Sequence, residues 1–256
     1  MPGYDDSHIE IKSKSEIESM RVSGQILDEI LCELMEMAKP GISTWDLEKR
    51  ARQLFKERSV TPAFLGYRDY PAALCTSINH EVVHGIPSPQ RFVKSGDLLK
   101  IDAGVFHNGF YADAARTIPV GEVDDVSQKL IDVAKKALFA GVNMMQSGNR
   151  LGDISRKIQE VVEFAGFSVV REYTGHGIGR RLHESPQIPN FGKAGTGPRL
   201  REGMVFALEP MVNAGVWETE VMEDEWTVVT VDRKRSAHFE HTVALEPDGP
   251  CILTQA

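Results

Sequence analysis

The sequence predicts an α+β fold, and three observations carry that prediction. Four stretches repeat apolar residues at helical spacing, and six other runs are rich in β-branched and apolar residues bounded by turn formers. No low-complexity or Pro/Gly/Ser-rich linker divides them, so residues 1–256 are expected to form a single catalytic domain. A chain of this length buries enough apolar surface to fold without a disulfide or a structural metal.

The elements follow in order. A polar tail over about 1–14, carrying Asp5, Asp6, Lys12 and Lys14, lacks the apolar core of a signal peptide. Ser15-Glu16-Ile17-Glu18 has the form of a capping box, and apolar residues then recur through Ile17, Met20, Ile26, Ile30, Leu34 and Met37. Pro40-Gly41 should stop that helix, and Ser43-Thr44 should cap a second through Phe55. Two more helices are predicted, from Val126 to about Met145 and from Leu151 to Phe164, with Gly166 as the stop. The predicted strands are Leu98–Val105, Gly109–Val120, Ser168–Glu172, Met204–Pro210, Glu225–Val231 and His238–Leu245. Each half pairs helices with strands that carry acidic residues, a faint sign of duplication with no visible sequence repeat.

Composition narrows the function. A net charge of -8 and a pI near 5.5 argue against nucleic-acid binding. The short basic clusters, Arg233-Lys234-Arg235 and Arg180-Arg181, read as solvated turns. Cys32, Cys75 and Cys251 are odd in number and widely spaced, which suits a reducing compartment and offers neither a disulfide framework nor a zinc finger. No apolar run approaches the ~18 residues of a membrane span, so the expected address is the cytoplasm.

The most informative segment runs from Leu99 to Asp113. Asn108-Gly109 between alternating runs is a strong hairpin signal, because a type I′ turn needs positive φ at both central residues. With that turn His107 faces Phe110, Gly104 faces Asp113, and Asp102 projects from the same face as Asp113. Diagonal cross-strand positions lie ~7–8 Å apart, from which two carboxylates can grip ions ~3.5–4 Å apart. Two solvated aspartates on an exposed face are the alternative. The small or apolar neighbours Ile101, Ala103, Ala112 and Ala114 suggest a buried strand, where unpaired carboxylates are costly.

Gly175-His176-Gly177-Ile178-Gly179 is the second element. Glycines flanking His176 would let the backbone approach a ligand closely, and imidazole suits divalent transition metals, although His176 also reads as an ordinary loop histidine. Glu209 ends an apolar run in Leu-Glu-Pro, and Glu240 lies in Phe-Glu-His-Thr; each is unremarkable alone. Together Asp102, Asp113, His176, Glu209 and Glu240 form an oxygen-rich set with one nitrogen, suited to divalent ions, since clustered carboxylates without a cation repel one another.

In that order and setting the five residues resemble the methionine aminopeptidases, specifically the short bacterial type I form, over about Ser15 to Leu245. The resemblance implies a pita-bread fold, a pseudo-twofold arrangement with a central antiparallel sheet flanked by helices. It implies two divalent ions (Co, Mn, Fe or Zn), with Asp113 and Glu240 bridging both, Asp102 completing one, and His176 with Glu209 completing the other. His84, in His-Gly-Ile-Pro, matches a histidine that contacts the substrate backbone, and His183 one that binds the scissile peptide. The matching methionine-pocket positions are Phe64, Tyr67, Tyr70, Cys75, Leu182 and Trp226, residues equally at home in an ordinary core; Phe64 and Leu182 depart from the commonest bacterial choices.

The implied activity removes the initiator methionine ahead of a small second residue, by dimetal-activated water attack on the first peptide bond, with His84, His183 and Glu209 as catalytic residues. Nascent polypeptide N-termini are the expected partners of a monomer, with a transient ribosome contact and neither nucleic acid nor membrane. Two rivals share the fold. A proline-specific aminopeptidase normally carries a large domain for which there is no room before Ser15, and a non-catalytic ribosome-associated protein would typically have lost ligands. The interval from Glu209 to Glu240 is too short for the insertion of the type II enzymes.

Overall fold

The computed structural model describes residues 9–255. Residues 1–8 of the expected tail lie outside them. Lys12 and Ser13 do not behave as a tail: the Lys12 N–H donates to the Gly203 carbonyl at 2.7 Å, and Ser13 caps the first helix, α1 (Lys14–Met37). Ser13-Lys14-Ser15-Glu16 satisfies the capping-box pattern as well as the predicted box two residues later does. The anchored Lys12 decides between them, so that Ser13 and Glu16 form the box. Helix α2 (Thr44–Glu57) starts at the predicted Ser43 cap.

Five strands follow, β1 (Thr61–Pro62), β2 (Leu74–Ile78), β3 (Glu81–Val83), β4 (Leu98–His107) and β5 (Phe110–Pro119). Helices α3 (Asp125–Met144) and α4 (Leu151–Phe164) match their predicted spans within a residue. After them come β6 (Ser168–Val169), β7 (Thr174–Gly177), β8 (Glu184–Pro189), β9 (Val205–Leu208), β10 (Met211–Asn213), β11 (Thr219–Val221), β12 (Val228–Thr230), β13 (Ser236–His238), β14 (His241–Glu246) and β15 (Gly249–Ile252). The run expected over Ser168–Glu172 is strand only at its start, and that over His238–Leu245 is broken at Phe239 and Glu240.

All pairings are antiparallel, but the central sheet is divided. One part has the order β1-β4-β2 with β5 on β4; another is β15-β14-β9-β7-β8, and two three-stranded pieces complete it. An N-terminal core packs α1 and α2 through Leu27, Leu31, Leu47 and Phe55 onto Leu99, Ile101 and Val105. A C-terminal core packs α3 and α4 through Leu130, Leu138, Ile154 and Ile158 onto Phe206, Leu208 and Val243. Helix pair followed by strands is thus run twice, as the duplication reading anticipates.

The halves join through the β3–β12 ladder and along a central seam. Glu240 N–H donates to the Ala115 carbonyl at 2.9 Å, and Ala115 N–H to the Glu240 carbonyl at 3.4 Å. On one side the Thr242 hydroxyl accepts from Asp113 N–H and donates to its carbonyl, both at 2.9 Å. On the other the Thr117 hydroxyl does the same for His238, at 2.8 and 2.7 Å. The Ala115–Glu240 pair therefore sits on a local twofold, with side chains satisfying the flanking backbone groups. The chain's last turn closes over it: Thr254 Oγ1 accepts from Thr242 N–H at 3.2 Å, and the Thr254 carbonyl accepts from Arg116 at 3.0 Å. The Leu253 carbonyl lies where a Cβ on Gly24 of α1 would come within 2.2 Å.

Candidate active site

Asp102 and Asp113 stand on the hairpin as the spacing predicts. Asn108 and Gly109 form its turn with φ of 49° and 86°, and the register pairs His107 with Phe110 and Gly104 with Asp113. Ile101, Ala103, Ala112 and Ala114 are fully buried. The alternative of solvated aspartates fails: Asp102 and Asp113 are themselves buried, and Oδ1 of each has no hydrogen-bond partner among the described residues.

The other three residues stand where strands are irregular or stop. His176 precedes a register shift in the β7–β8 ladder, Glu209 follows the end of β9, and Glu240 fills the gap between β13 and β14. The glycines beside His176 permit close strand packing. A Cβ on Gly175 would lie 2.4 Å from the Ala207 carbonyl oxygen, and one on Gly177 2.2 Å from that of Ser185. His176 Nδ1 lies 2.9 Å from the Gly177 carbonyl oxygen, so Nδ1 carries the proton and Nε2 keeps its lone pair. That Nε2 is 3.7 Å from Glu209 Oε1.

Burial makes these groups resist charge. It pushes the Asp102 carboxyl up to about 7. Asp113, Glu209 and Glu240 are raised well above the carboxylate range, by burial first and neighbouring carboxylates second. Burial depresses His84 and His176 to about 4, and His183 to about 2. Four carboxyls facing neutral imidazoles fit a cation between them. Donor atoms of Asp113, His176 and Glu240 lie within 4.8 Å of one another, and the orphaned aspartate oxygens are available to it.

The cavity takes in every residue singled out from the sequence. Beside the five acidic and imidazole groups it is lined by His84 and His183, and by Phe64, Tyr67, Tyr70, Cys75, Leu182 and Trp226. It encloses about 150 Å³, below the roughly 300–1,000 Å³ of sites for drug-sized ligands and suited to one side chain. Tyr70 meets Trp226 edge-on at 5.0 Å, held by hydrogen bonds from its hydroxyl to the Leu74 and Gly85 carbonyls. His183 stacks on Tyr67 at 5.2 Å, with Nδ1 2.9 Å from the Tyr67 hydroxyl. His84 adopts a φ of 61°, unusual for a non-glycine residue, and directs its ring at Tyr173 and Trp226.

Two residues at the site escape the sequence reading. Arg68 lines the cavity with its guanidinium over the Tyr67 ring, and nothing in its residue type or spacing marks it. His238 is fully buried, with Nε2 3.7 Å from Glu209 Oε2; its place two residues before Glu240 in a β-like run was the available signal.

The sequence model for metallopeptidase family M24 matches residues 18–247. A methionine aminopeptidase of Clostridium acetobutylicum is 49% identical over 244 residues, covering 95% of this chain and 98% of the relative. The crystal structure of the Thermotoga maritima methionine aminopeptidase superposes with a TM-score of 0.96 at 47% identity, covering 97% of this chain and 100% of that one. A prolidase of Pyrococcus furiosus shares the fold alone, at a TM-score of 0.78 and 23% identity, and this chain covers 65% of its length. Length, folded core and site thus agree in placing the chain in metallopeptidase family M24, as a member of its methionine aminopeptidases with the pita-bread fold.

Proposed function

We propose that the cavity removes the initiator methionine from polypeptide N-termini with a small second residue. One observation carries this reading: four carboxyl groups and an imidazole converge on one side of a small cavity whose other side is aromatic and apolar. In this reading Asp102, Asp113, His176, Glu209 and Glu240 hold two divalent ions of Co, Mn, Fe or Zn. When bound, such ions polarise a carbonyl and lower the pKa of water toward ~7.

The chain's own groups do the rest. Phe64, Tyr70, Cys75, Leu182 and Trp226 receive the unbranched thioether, which packs well against rings. His84, fixed by its backbone, holds the substrate main chain. In the tautomer in which Nδ1 accepts from the Tyr67 hydroxyl 2.9 Å away, neutral His183 presents Nε2–H to the scissile carbonyl oxygen and stabilises its developing charge. Glu209, as carboxylate, takes the proton from the attacking water and returns it to the leaving amine.

No helix of the described residues is long and apolar enough to cross a membrane, and a cytoplasmic monomer meeting nascent chains, with a transient ribosome contact, fits this substrate. The test is methionine released from Met-Ala-Ser by chelator-stripped protein before and after Mn, Fe or Co is restored, with Ala-Pro-Ala in parallel. Metal-dependent release from Met-Ala-Ser alone is expected. Cleavage of Ala-Pro-Ala alone would overturn the reading.

A further inference from the structure

Outside the cavity, one Lys/Arg–carboxylate pair among the described residues has both side chains sealed from water. Lys12 Nζ lies 2.6 Å from Glu184 Oε2, and each side chain is 3% exposed. Such a pair is weak evidence for stability, because lost hydration opposes the attraction. Its placement supplies another reason for it. The Lys12 stem crosses Gly179 so closely that a Cβ there would lie 2.2 Å from Cε. The other oxygen of Glu184 accepts the Arg181 N–H at 3.1 Å, and the Lys12 backbone is itself anchored on Gly203. One lysine thus holds both ends of the turn from Gly179 to Glu184. Between those ends lie Leu182 and His183, a wall of the cavity and the ring that stacks on Tyr67. This turn joins β7 to β8 where their register shifts, so the regular ladder does not fix its height.

We propose that Lys12 is a positioning residue, which sets Leu182 and His183 against the substrate from outside the cavity. The inference rests on the role given to His183 above. It also assigns work to a segment whose composition reads as a tail.

The test uses the full chain loaded with Mn, assayed on Met-Ala-Ser. Lys12→Met strands a buried carboxylate, so Lys12→Met/Glu184→Gln is made beside it; the amide still accepts the Arg181 N–H and leaves no buried charge. Both should lower kcat/KM about ten- to a hundredfold, the scale of a small misplacement near the reacting atoms, with Mn affinity by calorimetry unchanged. In a His183→Ala background the same changes should lower kcat by less than about twofold, because non-additivity marks residues that act through one another. Parental kcat/KM in the double variant would overturn the proposal. So would a fall in Mn affinity, or an undiminished further loss in the His183→Ala background. Parental turnover by His183→Ala alone would remove the role of His183, and this inference with it, while methionine release itself would stand.

Discussion

Asp102 and Asp113 stand on two ten-residue strands whose register runs unbroken from Leu98–Pro119 to His107–Phe110. His176, Glu209 and Glu240 stand at a bulge, a strand end and a gap. The two regions deliver carboxyl groups to the same cavity by opposite means, and each means has a physical reason. A regular hairpin fixes the spacing of two side chains on one face but cannot turn a third toward them. The C-terminal strands stop short of the seam, which frees Glu240 to leave its own sheet and pair with Ala115. Irregularity here is what lets residues from separate strands converge.

Variants can break that comparison. The largest effect is expected from Asp113→Asn, which should abolish metal-dependent turnover and yet raise the melting temperature of the chelated protein, since it removes one of the mutually repelling carboxyls. A fall in that temperature would mean the aspartate is held by something other than a cation. Glu209→Gln comes next, lowering kcat by about 10²–10⁴ while calorimetry still detects a bound ion. Near-parental turnover would sink the proton-transfer role.

Two glycines separate the regions by stability. Gly177→Ala drives a Cβ against the Ser185 carbonyl and should cost about 1–3 kcal/mol, the scale of overpacking. Thermal unfolding should show it as several degrees, with loss of activity. Gly109→Ala, at the hairpin tip with nothing within 4 Å of the new Cβ, meets only its positive φ. It should cost about 1 kcal/mol and leave kcat/KM unchanged. Equal effects at both positions would erase the distinction.

pH provides a gentler probe. The raised carboxyl groups bind more protons folded than unfolded, so their contribution to stability is lost as pH rises through about 7 for Asp102 and higher for its neighbours. The buried histidines, depressed in the folded state, act oppositely, and they lose stability as pH falls below their unfolded value near 6.5. Between pH 7 and 8 the carboxyls of Asp113, Glu209 and Glu240 lose stability with rising pH, and Lys100, which burial depresses to about 7, opposes them as a single group. The melting temperature of chelated protein should fall across that window, and metal should flatten the fall.

The same contrast explains what the sequence discloses. Asn108-Gly109 dictates a turn, and a turn dictates register, so the facing of Asp102 and Asp113 follows from local rules. The four helices are legible for the same reason, through caps and periodicity. The convergence of Glu209 and Glu240 is a tertiary matter, and only the likeness to a known family brings them to the hairpin in advance. The packing role of Gly175 and Gly177 is not legible, because a sequence does not show which carbonyl lies behind a strand. Arg68 and the buried side of Lys12 left no local trace at all.

The closing turn at Leu253 and Thr254 has a consequence for timing. Arg116 and Thr242 reach Thr254 only after nearly the whole described chain has been made, and Glu240 itself emerges late. Each newly made copy therefore completes its site only once Glu240 and the turn at Thr254 have both been made. Methionine aminopeptidase activity is thus absent from a growing copy of this chain until that turn closes.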